Sequence, residues 1–342
     1  MKYLQLLCLW CILLFFAFTT GLCDAKIRWK MASVAPEGTA YAVYFKKNYS
    51  NTIKQVTNGE VVMDWYQGCV MGDEEDYLAK MRINQLQGAV MSTGGTLMVC
   101  PQMAVLQLPF LFRDFDEVGY IRDKMRPIFS KIVFKNGYKL IMFADQDFDQ
   151  IYSTKYPMNK IEDFAKCKVV NHAGFMENKI LKALGASPII LGIPEVASAT
   201  RSGIIDTCIC PPLWTLGTQL YTIKKYVNAY KWRYSPGFIV VSRKAWDIVP
   251  EKHKLAINKK LPALENGFNA KITSQNKKAL KAMIQYGIEK VTMTPQQVDA
   301  FRKRLLPMWD DVAGKRFPIE LLDEIKMHLK DYRLNKKQLS SK

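Results

Sequence analysis

Histidine is scarce in this sequence, and the usual catalytic motifs are missing. Only three histidines, His172, His253 and His328, occur among the 342 residues. A metal centre needs several converging ligands, and a Ser-His-Asp triad needs a histidine beside its serine, so neither is indicated. No phosphate-binding loop and no G-x-S-x-G turn is present. The sequence therefore predicts a protein that is not an enzyme and that uses no metal or cofactor.

Cysteine pairs of the zinc-binding type are also missing. Three of the eight cysteines lie in the first 23 residues, which leaves an odd number, five, in the rest of the chain. None of these five belongs to a C-x-x-C pair, so a zinc ribbon is not indicated. We predict that most of them are small buried hydrophobic residues. Cys208 and Cys210 fall on a predicted strand and are predicted to point to opposite faces.

Long apolar runs are confined to the N-terminus. Lys2 precedes the apolar stretch from Leu4 to Thr20, and Gly21 follows it. This order is typical of a secretory signal peptide, here residues 1–23, and places the mature protein in the periplasm. Two alternatives stay open: an uncleaved membrane anchor, and a lipid anchor on Cys23, which the preceding Leu22 disfavours.

Acidic residues are too few to balance the basic ones. The chain holds 49 Lys and Arg against 31 Asp and Glu, a net charge of +18. Residues 251–342 carry 20 of these basic and 10 of these acidic residues, so more than half of the excess lies there. The cations are scattered doublets and not one block, and no nucleic-acid-binding motif accompanies them. We predict a solvated basic surface and no nucleic-acid partner; the alternative is contact with an anionic membrane surface or an acidic partner.

The order of predicted elements indicates two α/β units. Strands at 27–33, 61–65 and 89–91 alternate with helices, and the same order recurs from 168 to 210. A βαβ order requires parallel strands joined by right-handed crossovers. Ligands of such sheets bind beyond the carboxyl ends of the strands. One of these ends, 92–95, is predicted as a glycine turn that either cradles an anion or is only a turn.

The C-terminal third has a different, helical character. Pro250 begins a helical stretch that reaches about residue 288, with a kink predicted at Pro262. Thr294 then begins a further helix with a capping box. Another helix follows Pro318, and residues 331–342 are predicted to be a tail.

Four segments together resemble the extracytoplasmic solute receptors of TRAP transporters, the DctP-like subunits. They are VLQLPFLFRDFDEV (105–118), ILKALGASPIIL (180–191), SGIID (202–206) and SRKAWDIVPEKHK (242–254). The resemblance implies an α/β, two-lobed periplasmic-binding-protein-like fold. Each lobe is then a mixed, mostly parallel sheet flanked by helices, with crossing hinge strands and a long helix spanning both lobes. The implied boundaries are 24–147 plus about 232–275 for lobe I and 148–231 plus about 276–330 for lobe II.

The resemblance also implies a function. Such a receptor closes on one small organic ligand and delivers it to the TRAP permease subunits in the membrane, in some members with a helical-repeat accessory protein. Here Val170 replaces the arginine that usually binds the ligand carboxylate, Cys210 replaces a common asparagine, and a second basic residue is missing near Gln150. Because burying an unpaired carboxylate is unfavourable, we predict a hydrophobic or amphipathic ligand. The alternatives are an organic acid held by Lys168, His172 or backbone N–H groups, and an exported scaffold that docks through its basic C-terminal helices.

The predicted ligand site combines strand-end residues with aromatic residues of the connecting segments. Trp214 and Tyr234 are the favoured aromatic contacts, while the alternative for each aromatic residue is packing in a lobe core. The full set is Glu37, Ser92, Thr93, Gly94, Phe148, Gln150, Tyr152, Val170, Asn171, His172, Phe175, Cys210, Trp214, Trp232 and Tyr234.

Overall fold

A computed structural model describes residues 26–340, so the predicted signal peptide and Cys23 lie outside the described residues. Within that range, no helix is both long and apolar enough to cross a membrane. The strands are β1 (Ile27–Ser33), β2 (Val61–Tyr66), β3 (Gly88–Met91), β4 (Tyr138–Phe143), β5 (Asp147–Phe148), β6 (Gln150–Ser153), β7 (Val170–Asn171), β8 (Ile189–Ile190), β9 (Thr207–Cys210), β10 (Tyr226–Asn228), β11 (Tyr234–Ser235), β12 (Phe238–Ser242) and β13 (Glu289–Val291).

Helices alternate with these strands and then dominate the C-terminal third. A π-helical segment, Tyr44–Tyr49, joins the first two helices. The α-helices are α1 (Ala40–Val43), α2 (Ser50–Val56), α3 (Glu74–Arg82), α4 (Thr93–Val99), α5 (Phe115–Lys135), α6 (Glu162–Lys166), α7 (Phe175–Ala183), α8 (Ile193–Arg201), α9 (Pro212–Gly217), α10 (Arg243–Asp247), α11 (Glu251–Tyr286), α12 (Pro295–Leu305), α13 (Met308–Val312) and α14 (Ile319–Ser340).

Lobe I is built on a five-stranded sheet in the order β2-β1-β3-β12-β4. β1 pairs in parallel with β2 and with β3, as the predicted βαβ order requires. β12 runs antiparallel to both β3 and β4 because the chain enters it on returning from lobe II. All five residues of β12 are buried, as is usual for a strand at the centre of a covered sheet.

Lobe II has a four-stranded sheet in the order β13-β10-β6-β9. β6 is antiparallel to β9 and to β10, whereas β10 and β13 are parallel. The short parallel pair β7–β8 continues this sheet through a bridge between Val169 and Thr207. The sheet of each lobe is therefore mixed, with one strand supplied by a segment that crosses between lobes.

The chain crosses between the lobes at two adjacent places and along one helix. β5 pairs antiparallel with β11, so Phe148 faces Tyr234 where the two crossings meet. Pro236 has no N–H to donate, and the chain on each side of it forms separate strands, β11 and β12. α11 is 36 residues long and continues through Pro262. It packs against α2 and β4 of lobe I and against α9 beside the cleft.

Three further features differ from the sequence-based prediction. α5 has no predicted counterpart, because Gly119 and Pro127 interrupt its helical pattern. Residues 93–95 begin α4 instead of forming a turn. The Sγ atoms of Cys208 and Cys210 lie 3.8 Å apart, so the prediction that they point to opposite faces is wrong. Residues i and i+2 of a strand share a face.

The C-terminal helix α14 continues through the residues predicted to be a tail and packs against α5 of lobe I. Leu322, Ile325 and Leu329 are buried in this contact. Arg333 donates to both carboxylate oxygens of the buried Glu117, at 2.7 Å each, and to the carbonyl oxygen of Leu111. This bidentate pair fixes the end of the helix to the first turn of α5.

We predict that Arg333→Ala lowers the free energy of unfolding by about 2 kcal/mol, because it leaves the Glu117 carboxylate buried without its cation. Lys336 is the matched control, since its pairs with Asp114 and Asp116 are exposed. Lys336→Ala is expected to lower the same quantity by less than about 1 kcal/mol. Urea unfolding at pH 7 measures both, and equal losses in the two variants would contradict the prediction.

Candidate functional site

A small polar cavity lies between the lobes, where the strand ends of both sheets meet the crossing segments. Its volume is about 30 Å³, room for one or two water molecules. An organic ligand can therefore enter only after the lobes separate. The lining is Val34, Ser92 and Thr93 from lobe I, Gln146, Asp149, Arg233 and Ser235 from the crossing segments, and His172, Ala173, Ile193, Ile209, Cys210, Pro211 and Trp214 from lobe II.

A second cavity of about 40 Å³ adjoins the first on the lobe I side. The two share Val34, Ser92, Gln146 and Trp214 as walls. The rest of its lining is mostly apolar and aromatic, which contrasts with the charged groups around the first cavity. These residues are Ser33, Ala35, Tyr41, Phe45, Val90, Ala144 and Phe268.

Arg233 is the buried cation of the polar cavity, and only 1% of the residue is exposed. Its Nε donates to the carboxylate of Asp149 at 2.8 Å, and its Nη2 lies 2.6 Å from the same oxygen and 3.2 Å from Glu177. Its Nη1 is buried without a hydrogen-bond partner. The sequence analysis finds no arginine at the family's usual position, Val170, and does not identify Arg233 as a cleft residue. The missed signal is an arginine within the aromatic run 232–234, opposite a segment with aspartates at 145, 147 and 149.

Glu177 connects this arginine to the lobe II wall of the cavity. One of its carboxylate oxygens accepts from the backbone N–H groups of His172 and Ala173, at 2.8 and 2.9 Å. The ring of His172 stacks on Trp214 with centroids 5.8 Å apart and an interplanar angle of 10°. Burial raises the pKa of Asp149 against the opposing effect of Arg233. Two carboxyl groups, those of Asp149 and Glu177, thus share the one guanidinium of Arg233.

Glu74 has the same role in lobe I that Glu177 has in lobe II, since it accepts from a backbone N–H group at a strand end. Its carboxylate accepts from the backbone N–H and the hydroxyl of Ser92, at the start of α4. The strand-end N–H groups that were predicted either to cradle an anion or to form a turn are thus occupied by a protein carboxylate. Burial raises the pKa of Glu74 to about 7, while its hydrogen bonds with Ser92 oppose this shift.

The thiols of Cys208 and Cys210 form a second buried cluster, in which Cys210 belongs to the lobe II wall of the cavity. The hydrogen bond from Cys210 lowers the pKa of Cys208 to about 6, and burial raises the pKa of Cys210. Cys210 also contacts the hydroxyl of Thr215 at 3.1 Å. Among residues 26–340, no three His, Cys, Asp or Glu side chains converge to hold a metal ion.

The structure brings five residues of the predicted set to the wall of the polar cavity and places the others elsewhere. Ser92, Thr93, His172, Cys210 and Trp214 line the cavity. Gly94 lies against Ala173 across the interlobe contact, and Glu37 is exposed beside Lys46. Phe175 lies under the guanidinium of Arg316. The remaining residues are buried in the lobes or at the crossing and do not line this cavity: Phe148, Gln150, Tyr152, Val170, Asn171, Trp232 and Tyr234.

Comparison with known proteins identifies the family. Residues 31–315 match the family model described as "Bacterial extracellular solute-binding protein, family 7". The chain belongs to this family. It is therefore a TRAP-type extracytoplasmic solute receptor and not an enzyme, with the two-lobed fold that the sequence predicts.

Individual relatives of this receptor are distant in sequence. The C4-dicarboxylate-binding periplasmic protein DctP of Rhodobacter capsulatus is 23% identical over 78% of this chain and 81% of its own. The sialic acid-binding periplasmic protein SiaP of Vibrio cholerae is 21% identical over 78% of this chain and 82% of its own. The sugar acid binding protein of Advenella mimigardefordensis, solved with galactonate, superposes with a TM-score of 0.84 at 15% identity, covering 89% of this chain and 98% of its own.

We predict that Glu74→Gln flattens the decline of stability as the pH rises from 5 to 8. The pKa of Glu74 is raised in the folded protein, to about 7. The folded state therefore binds the proton more tightly than the unfolded state, and its stability falls as the pH rises through 7. Glutamine keeps an acceptor for Ser92 and does not ionise. The Glu74→Gln variant therefore lacks this part of the decline in stability.

The free energy of unfolding, measured in urea at several pH values, tests this. Part of the decline remains in the variant, because burial also raises the pKa of Asp147 to about 7. The matched control is Glu75→Gln, the same change at the exposed neighbouring position on α3, which should retain the wild-type slope. The prediction would be contradicted if the free energy of unfolding of Glu74→Gln showed the wild-type dependence on pH.

Proposed function

We propose that this receptor binds a small amphipathic organic solute whose polar end is an uncharged hydrogen-bond acceptor, and that it delivers the solute to a TRAP-type permease. The polar end faces the Nη1 of Arg233, and the apolar end lies toward Phe45 and Phe268. Hinge closure brings the two walls of the cleft together around the solute.

The pair of adjoining cavities is the observation that carries this proposal. The first cavity is walled by apolar residues together with polar and charged ones that include Asp149 and Arg233. The second has no charged wall residue and is lined by Tyr41, Phe45 and Phe268, and Trp214 is a wall of both. A shift of the Trp214 side chain would join the two into one space with a polar and an apolar end. A binding site of this composition fits a ligand with the same division.

The charge around Arg233 favours an uncharged polar end. Its guanidinium is already paired with Asp149 and Glu177, so a ligand carboxylate would be a third buried acidic group beside one arginine. A carbonyl or hydroxyl oxygen can accept from Nη1 without this repulsion. Val170, at the position of the family's usual arginine, is fully buried in the lobe II core and offers no cation.

An organic acid is the second candidate, and the unpartnered Nη1 of Arg233 is the observation that favours it. Two of the relatives are named for acids, C4-dicarboxylates and sialic acid. Lys168 does not support this candidate, because it is exposed and donates to the carbonyl of Gly203 on the outside of lobe II. Cleavage of the signal peptide, an anchor at Cys23, and docking of the basic helices on a membrane or accessory protein stay predictions from the sequence.

A matched pair of ligands tests the choice between the two candidates. Butanamide and butanoate have the same number of non-hydrogen atoms and differ in the charge of one end. We expect isothermal titration at pH 7.5 to give a Kd for butanamide at least about tenfold lower than for butanoate, because only the acid adds a charge to the cavity. Tighter binding of butanoate, or of succinate, would replace the proposal with the organic-acid function.

The role of Arg233 has its own test. Arg233→Lys keeps the positive charge but loses the planar fork and the free Nη1–H, so we expect butanamide to bind about tenfold more weakly. Arg122→Lys is the matched control, since Arg122 is also buried between two carboxylates, Asp145 and Glu265, but does not line either cavity. The Arg122→Lys variant should bind butanamide with the affinity of the wild type. An equal loss of butanamide affinity in the two variants would contradict a role for Arg233 in recognition.

A further inference from the structure

Two glycines at the contact between the lobes have no conformational need to be glycine. Gly94 lies in the first turn of α4, and Gly217 is the last residue of α9. Neither adopts a positive φ, so the backbone of each would accept an L side chain. What excludes a side chain at both places is the opposite lobe.

At Gly94, an added Cβ would lie 3.0 Å from the Cα and 3.2 Å from the carbonyl carbon of Ala173. These are backbone atoms of the loop that Glu177 holds in place, so they cannot move aside as a flexible side chain would. Room for a methyl group at position 94 requires the lobes themselves to separate by a few tenths of an ångström or more.

At Gly217, an added Cβ would lie 2.5 Å from Cγ2 of Thr39 and 3.2 Å from Cγ of Pro36, both in the lobe I loop after β1. The hydroxyl of Thr39 donates to the carbonyl of Pro36 at 2.7 Å and accepts from the N–H of Ala42. This pair of bonds fixes the Thr39 rotamer, so the methyl group cannot simply turn away.

Asp73 supplies a polar contact at the same interlobe boundary. Its Oδ1 accepts from the N–H of Glu74 in its own helix, α3, at 2.8 Å. Its Oδ2 accepts from the N–H of Ile193, the first residue of α8 in lobe II, at 2.9 Å. One carboxylate thus caps two helices that belong to different lobes.

We propose that Gly94, Gly217 and Asp73 are positioning residues for closure: they permit and hold the contact that seals the cleft, and they set ligand affinity without touching the ligand. The space they seal contains the Nη1 of Arg233, a buried donor without a protein partner. The proposal rests on the proposed function only in that a solute binds in this cleft, whatever its chemical class.

Replacing the glycines should have opposite effects on folding and on binding. Alanine is the better helix former, so Gly94→Ala and Gly217→Ala should leave the melting temperature of the ligand-free protein unchanged or raise it. The same methyl groups meet the opposite lobe only in the closed form and should shift the population toward the open form. Gly119→Ala is the matched control, a helical glycine of α5 whose nearest neighbouring atom is 3.7 Å from an added Cβ.

The thiol of Cys210 reports closure without any ligand, because it lines the cavity and only 1% of the residue is exposed. We would measure its labelling by N-ethylmaleimide with tandem mass spectrometry, and use the buried Cys100 of the lobe I core as the monitor of unfolding. In Gly94→Ala and in Gly217→Ala, the reagent should label Cys210 at least about tenfold faster than in the wild type. Cys100 should stay unlabelled on that timescale, and Gly119→Ala should match the wild type.

Asp73→Asn tests the polar contact. Asparagine has one acceptor oxygen, so it can still cap α3 but cannot also accept from Ile193. We expect faster Cys210 labelling in this variant and no change in Asp76→Asn, whose carboxylate accepts from the N–H of Asp73 within lobe I.

Wild-type labelling rates in both glycine variants and in Asp73→Asn would overturn the closure proposal whichever solute binds. Tighter binding of butanoate than of butanamide, with faster labelling in the variants, would instead overturn only the proposed ligand class. Butanamide titration of Gly94→Ala completes the test: a Kd raised about tenfold supports the proposal, and a wild-type Kd contradicts it.

Discussion

The guanidinium of Arg233 is the constraint on which the cleft depends. It is buried where the two crossing segments meet, and it is paired with Asp149 on one segment and with Glu177 at the start of α7. The N–H of Asp149 also donates to the carbonyl of Arg233, which joins the crossings through the backbone. Removing the cation would leave two buried carboxylates without their partner, an arrangement that costs about 3–5 kcal/mol in other proteins. One side chain therefore joins the two crossing segments and forms part of the cavity wall.

In each lobe, a buried glutamate accepts hydrogen bonds from the backbone N–H groups that line its side of the cavity. In lobe I, Glu74 from the first turn of α3 holds the N–H of Ser92, and in lobe II, Glu177 from the first turn of α7 holds the N–H groups of His172 and Ala173. Strand-end N–H groups are natural sites for an anion. Here buried protein carboxylates occupy them. Among the described residues that line this cavity, the Nη1 of Arg233 and the Nδ1 of His172 are buried without a hydrogen-bond partner.

Local sequence signals were sufficient for most of the fold but not for the site. The capping box at Thr294 and the strand at 27–33 follow from residues adjacent in the chain, and the structure places α12 and β1 there. Arg233 was missed because its partners, Asp149 and Glu177, lie 84 and 56 residues away. The sequence predicts a turn at Gly94 because glycine usually marks one, whereas the structure places it in a helix against Ala173 of the other lobe. Such long-range contacts leave no periodic pattern to detect.

The net charge of +18 and the charge of the cleft act independently. More than half of the basic excess lies on residues 251–342, and interactions between exposed charges fade within about 8–10 Å at physiological ionic strength. In the buried cavity, by contrast, Asp149 and Glu177 interact with Arg233 over 2.6–3.2 Å with little screening. A basic surface can raise the local concentration of anions, but it cannot neutralise a carboxylate once the cleft has closed over it. Under the proposed function, the groups around Arg233 and the fit of the closed lobes select the solute, and the basic surface does not.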